Sequence, residues 1–145
     1  PYASGVGQAL TPAAPLQRVT AAGPTMWLAP DTAVALALVI HELATNAAKH
    51  GALASPEGRV AVTWGTDEAA AAVWLNWAEA GGAQITGPPA RAGFGSRLID
   101  LTVRRQLGGS LEWSWHPGGL VLRLAIPAGR ALAPMSPAGY PRALA

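Results

Sequence analysis

Residues 30–53 constrain this chain more than any other stretch. Pro30 and Asp31 open it, an almost wholly apolar run fills residues 32–40, and polar groups then enter over residues 41–53, His-Glu-Leu-Ala-Thr-Asn-Ala-Ala-Lys-His-Gly-Ala-Leu. The apolar run predicts a helix buried on most of its circumference. Asp31 would serve as N-cap or first-turn acid, and Gly51 is placed to end the helix just after Lys49 and His50. Glu42, Asn46 and Lys49 follow at i, i+4 and i+7 and so share one helical face, while Ile40, Leu43 and Ala47 hold another. A carboxylate, a carboxamide and an ammonium in one column suit a phosphate and its metal ion.

The pattern changes downstream. Val60, Val62 and Trp64, and then Val73, Leu75 and Trp77, alternate with smaller or polar residues, which predicts adjacent antiparallel strands joined by a turn at residues 65–67. Residues 78–92 read as loop, with Gly81-Gly82 and Gly87-Pro88-Pro89 and no apolar period. Gly93-Phe94-Gly95-Ser96 then leads into a second helix over residues 97–107, ended by Gly108-Gly109. Two more alternating runs, Leu111, Trp113, Trp115 and Leu120, Leu122, Leu124, Ile126, flank a hairpin turn at residues 117–119. Upstream, residues 17–22 and 25–29 are short β-prone runs around Gly23-Pro24 that could pair as an edge hairpin.

The expected fold is therefore a two-layer α/β sandwich, a mixed or mostly antiparallel sheet covered by helices on one face. Residues 1–15 and everything after Pro127 are rich in Pro, Gly and Ala. The first is read as a linker or irregular lead-in and residues 128–145 as a tail of low order, around one domain at 16–127.

Charge and composition narrow the function. The 145 residues are 50% hydrophobic and 12% charged, with no cysteine and a formal charge of +2. Disulfide and thiolate-metal chemistry are excluded, and scattered Lys and Arg give no nucleic-acid footprint. No membrane segment or signal sequence stands out, so the chain reads as cytoplasmic, and a start at Pro rather than Met suggests a piece of a longer protein. The glycine turn at residues 93–96 suits phosphates, because glycines permit close backbone approach and helix N-termini favour anions. It is neither a Walker loop nor a full dinucleotide fingerprint, since no Gly-Lys-Ser/Thr is present and position 98 is Leu.

Three motifs together carry a family resemblance. Residues 41–53, Trp-Ala-Glu-Ala-Gly-Gly at 77–82 and Gly-Phe-Gly-Ser-Arg-Leu-Ile at 93–99 resemble the N box and the two glycine boxes of bacterial sensor histidine kinases. More narrowly they resemble the HWE subfamily, whose three letters are matched by His41, Trp77 and Glu79. The resemblance runs from about Arg18 to Pro127. It implies a Bergerat-type ATP-binding fold, shared by gyrase, heat-shock chaperone, histidine kinase and mismatch-repair ATPases.

The resemblance implies roles for particular residues. Asn46 matches the asparagine that ligates Mg²⁺, a hard ion that takes oxygen ligands. Glu42 would orient a metal-bound water or assist proton transfer. Lys49 is either a phosphate contact or a snorkelling surface lysine. His50 places a ring near phosphates or ribose, or simply meets the helix C-terminal dipole. Glu79 stands where most relatives carry an aspartate that accepts the adenine amino proton, directly or through water, and Gly81 and Gly82 let the base lie against the backbone. Trp77 belongs to the core first and the pocket wall second. His41 points roughly a quarter-turn from the metal face, which suits a structural hydrogen bond.

Residues 83–92 would form a short ATP lid with Arg91 as its only cation, and Gly93, Phe94, Gly95 and Ser96 would receive the phosphates. The implied activity is transfer of the γ-phosphate of Mg-ATP to a histidine on a separate dimerisation and phosphoacceptor domain, with a response regulator downstream. The only histidines, His41, His50 and His116, are not placed as acceptors, so the chain alone is not expected to autophosphorylate. Two alternatives share the fold: a serine kinase of the anti-sigma type, and a non-catalytic interaction module that has lost nucleotide binding.

Overall fold

The structure, a computed structural model, describes residues 17–89 and 93–142. The lead-in at 1–15 and Arg91 lie outside the described residues. The elements follow in the order β1 (Val19–Ala22), α1 (Pro30–Lys49), a 3₁₀ turn (Ala52–Ala54), β2 (Arg59–Asp67), β3 (Ala72–Ala80), α2 (Phe94–Leu101), a π-turn (Thr102–Gln106), β4 (Ser110–His116), β5 (Gly119–Pro127) and a short α3 (Ala128–Ala131). The five strands form one sheet in the order β1-β2-β3-β5-β4, parallel only between β1 and β2.

Alternation sets the two faces of this sheet. Val62, Trp77, Leu122 and Trp113 stand opposite one another across β2, β3, β5 and β4, forming a row on the helix-covered face. Leu36, Val39, Leu43 and Ala47 of α1, with Ile99, Val103 and Leu107 around α2, close the core over that face. The opposite face carries Trp74, Asn76 and Arg123, with Arg123 Nε donating to Asn76 Oδ1 (3.2 Å). Among the described residues no buried side-chain nitrogen or oxygen lacks a hydrogen-bond partner, as a packed interior requires. Among them, too, no helix is long and apolar enough to cross a membrane.

Several sequence expectations are corrected. Residues 25–29 do not form a hairpin with 17–22. β1 instead pairs parallel with β2, and Trp64 of β2 diverts the next residues by packing its ring on Gly23 and donating Nε1–H to the Pro24 carbonyl (2.9 Å). The 25–29 segment pairs with the far end of the chain: Ala29 N–H donates to the Ala131 carbonyl and Ala133 N–H to the Trp27 carbonyl, both at 2.8 Å. The chain past Pro127 is accordingly not of low order throughout, since Ala131 is fully buried and the Thr32 hydroxyl donates to the Arg130 carbonyl (3.1 Å).

The turn between β2 and β3 falls at residues 68–71 rather than 65–67, with Asp67 Oδ1 accepting from Ala70 N–H and Ala71 in the left-handed region (φ 49°). Nor is α1 buried on most of its circumference. Val34 is 71% exposed, and Leu38 and Ile40 are each 37% exposed, because one sheet can cover only one side of a helix. The second helix begins three residues earlier than expected and widens after Leu101, where Leu107 N–H reaches the Thr102 carbonyl five residues back (3.0 Å).

Thr32→Val keeps the shape of a fully buried side chain but strands the Arg130 carbonyl. It should lower unfolding free energy by about 1 kcal/mol in urea denaturation, and an unchanged midpoint would mean that the C-terminal segment does not dock on α1.

Candidate functional site

The site is built on one flank of α1. The ridge Leu36, Val39, Leu43 and Ala47 faces the sheet. A helix advances about 100° per residue, so Glu42 and Asn46 fall on the α2 side of that ridge, with Lys49 further outward. Glu42 and Asn46 are half-buried, whereas Lys49 and His50 are exposed at the helix end, where His50 is the C-cap residue. His41 is exposed on the outer side of α1, away from the interior position that a structural hydrogen bond would favour.

The second glycine turn comes directly against this flank. Gly93 is the N-cap of α2, and Gly95 lies in its first turn. A Cβ added at Gly95 would stand 2.8 Å from Glu42 Oε2 and 3.5 Å from both Asn46 side-chain polar atoms. The helix N-terminus and the Glu42 and Asn46 side chains therefore share one small space, and a side chain at position 95 would have to displace the end of Glu42. Gly93 has no such neighbour, Ser96 is half-buried and Phe94 projects outward at 82% exposure.

The first glycine turn closes the other end. Glu79 sits near the end of β3 on the helix-covered face, and its carboxylate is 6% exposed. Trp77 Nε1–H donates to Oε1 (3.0 Å), and the Ala52 N–H, just past the end of α1, donates to Oε2 (2.9 Å). A buried carboxylate is tolerated when such donors replace water. Gly81 (φ +72°) and Gly82 then pack against the loop after α1: a Cβ at Gly82 would stand 2.7 Å from the Ala52 Cα, and one at Gly81 would press on the Glu57 carbonyl. These glycines serve close backbone packing within the protein as well as any ligand.

Oxygen donors on adjacent turns of α1 fit a hard divalent cation that also takes ligands from substrate phosphates. Among the described residues no group of three or more His, Cys, Asp or Glu is placed to hold a metal ion. A large apolar groove of about 650 Å³ lies elsewhere, on the opposite flank of α1, lined among others by Met26, Ile40, Ala44 and Trp64.

Comparison with known proteins places this architecture. No protein-family model matches the chain. The blue-light-activated histidine kinase of Rhizobium johnstonii is 38% identical over 107 residues, covering 72% of this chain and 30% of that protein. Blue-light-activated histidine kinase 1 of Erythrobacter litoralis is also 38% identical, over 113 residues, covering 77% of this chain and 31% of that protein. The chain belongs to the histidine kinase family. The resemblance of its three motifs to the HWE type agrees with this.

This histidine kinase domain spans about a third of the length of those curated relatives. Its fold is that of the histidine kinase domain of a blue-light-activated histidine kinase from Erythrobacter litoralis, with a TM-score of 0.65 at 22% identity over 78% of this chain and 52% of that one.

Two participants escape a reading of side chains in sequence. One is the Ala52 amide, a backbone donor with no signature. The other is Arg18, whose guanidinium donates to the carbonyls of Gly58 (3.0 Å), Leu53 (3.1 Å) and Ser55 and so fixes the loop that carries Ala52. Three carbonyls turned to one point were the only available signal, and that signal is conformational.

Alanine normally improves a helix over glycine by up to about 1 kcal/mol. At Gly95 that gain should be largely cancelled, because the new methyl displaces the flexible end of the Glu42 side chain. Gly95→Ala should therefore stay within about 0.5 kcal/mol of wild type in urea denaturation, whereas in a Glu42→Ala background it should stabilise by up to about 1 kcal/mol, and equal effects in the two backgrounds would remove the contact.

Proposed function

We propose that this domain binds Mg-ATP and donates the γ-phosphate to a histidine on a separate dimerisation and phosphoacceptor domain, with a response regulator downstream. The observation that carries the reading is the meeting of Gly95 with Glu42 and Asn46, which puts an anion-favouring helix N-terminus beside two oxygen-bearing side chains. The family of the chain and its fold support it.

In this reading the base lies at the Glu79 to Gly82 end and the phosphates at Gly93, Phe94, Gly95 and Ser96. Asn46 offers a carboxamide oxygen to Mg²⁺, which supplies neutralisation of the phosphate charge when bound. Glu42 holds a water or takes a proton beside it. Lys49, extended from the exposed end of α1, meets a phosphate, His50 borders the phosphates or ribose, and Arg91 is the cation that the lid sequence offers to the nucleotide. Catalysis is then largely positioning and charge neutralisation, with little covalent work for the protein. A cytoplasmic setting follows from the nucleotide.

The test is titration of the chain with an unhydrolysable ATP analogue with and without Mg²⁺. Wild type should bind with Mg²⁺ dependence, and Asn46→Ala should weaken Mg²⁺-dependent binding by roughly tenfold or more. Unchanged affinity in the variant would remove the metal role of Asn46. Absence of binding by wild type would favour a non-catalytic interaction module instead.

A further inference from the structure

Trp77 is almost fully buried (2% exposed) in the centre of the helix-covered face, so packing alone would account for an aromatic residue there. Packing does not account for its Nε1–H, which ends on Glu79 Oε1. The other carboxylate oxygen takes the Ala52 N–H. Glu79 is thus held between two donors that are themselves immovable, one an indole locked in the core and the other the backbone of a loop pinned by Arg18. A carboxylate has about four acceptor positions, so two remain after these bonds.

Resting on the nucleotide reading above, we propose that Trp77 is a positioning residue of the base site: its indole N–H fixes the Glu79 carboxylate so that the remaining acceptor capacity meets an exocyclic amino group of the base. Base selectivity is then set jointly by Trp77 and Glu79. Both partners of Glu79 are donors, so an amide in its place must turn its own NH₂ towards one of them. Glu79→Gln, although close in shape, therefore cannot satisfy the site.

The experiment compares the affinities of Mg-ADP and of the diphosphate of purine riboside, which lacks the 6-amino group. Wild type should prefer ADP. Replacing Trp77 site-specifically by 3-benzothienylalanine, which keeps the ring shape but has no N–H, should reduce that preference by roughly 3- to 10-fold. Glu79→Gln should reduce it similarly. Combining the benzothienylalanine replacement with Glu79→Gln should give less than the product of the two single losses, because the amide NH₂ no longer faces a donor.

Thermal unfolding and the indole N–H resonances confirm that each variant is folded, and the Trp77 resonance should shift in Glu79→Gln. An unchanged preference in the folded benzothienyl variant, or losses that multiply fully, would overturn the proposal. Failure of wild type to bind either nucleotide would overturn the nucleotide reading itself, and this proposal with it.

Discussion

Everything in this domain hangs on the seating of one ridge of α1 on a sheet. Leu36, Val39, Leu43 and Ala47 meet Val60, Val62, Val73, Leu75 and Trp77, and each large aliphatic side chain so buried contributes about 1.5–3 kcal/mol. Once that ridge is down, helical geometry leaves no freedom for the flanks. Glu42 and Asn46 must face α2, and Ile40 and Ala44 must border the apolar groove on the other side. A functional column on a helix is thus placed by the apolar residues between its members.

The remaining walls are added by backbone, not by further polar side chains. Gly95 brings α2 close enough to share space with Glu42 and Asn46, and Gly81 and Gly82 bring the end of β3 against the loop after α1. A methyl group at Gly82 or Gly95 would meet a neighbour inside ordinary contact distance, and Gly81 adds a left-handed conformation that other residues rarely adopt.

Much of this was legible in the sequence because it is periodic. Alternation in Val73, Leu75, Trp77 and in Leu120, Leu122, Leu124, Ile126 shows which side of the sheet is covered, and the spacing of Glu42, Asn46 and Lys49 shows which side of the helix they share. Illegible parts involve partners far apart in the chain or groups that every residue owns. Thr25 to Ala29 reads locally as a strand of a hairpin, yet the mates of Trp27 and Ala29 are residues 133 and 131 in that order. The π-turn at Thr102–Gln106 breaks the helical period that would have announced it. Ala52 enters through its amide, and Arg18 through a loop shape that no local pattern records.

The Trp77 to Glu79 bond also bears on how such a sequence can change over generations. Strand geometry places residues two apart on the same face, so this donor and this acceptor sit side by side in the gene as well as in the fold. Losing the indole alone leaves a buried carboxylate short of a donor, and losing the carboxylate alone leaves two buried N–H groups, those of Trp77 and Ala52, without an acceptor. The carboxylate is therefore the costlier of the two to replace, and a chain that keeps it gains from keeping the indole beside it.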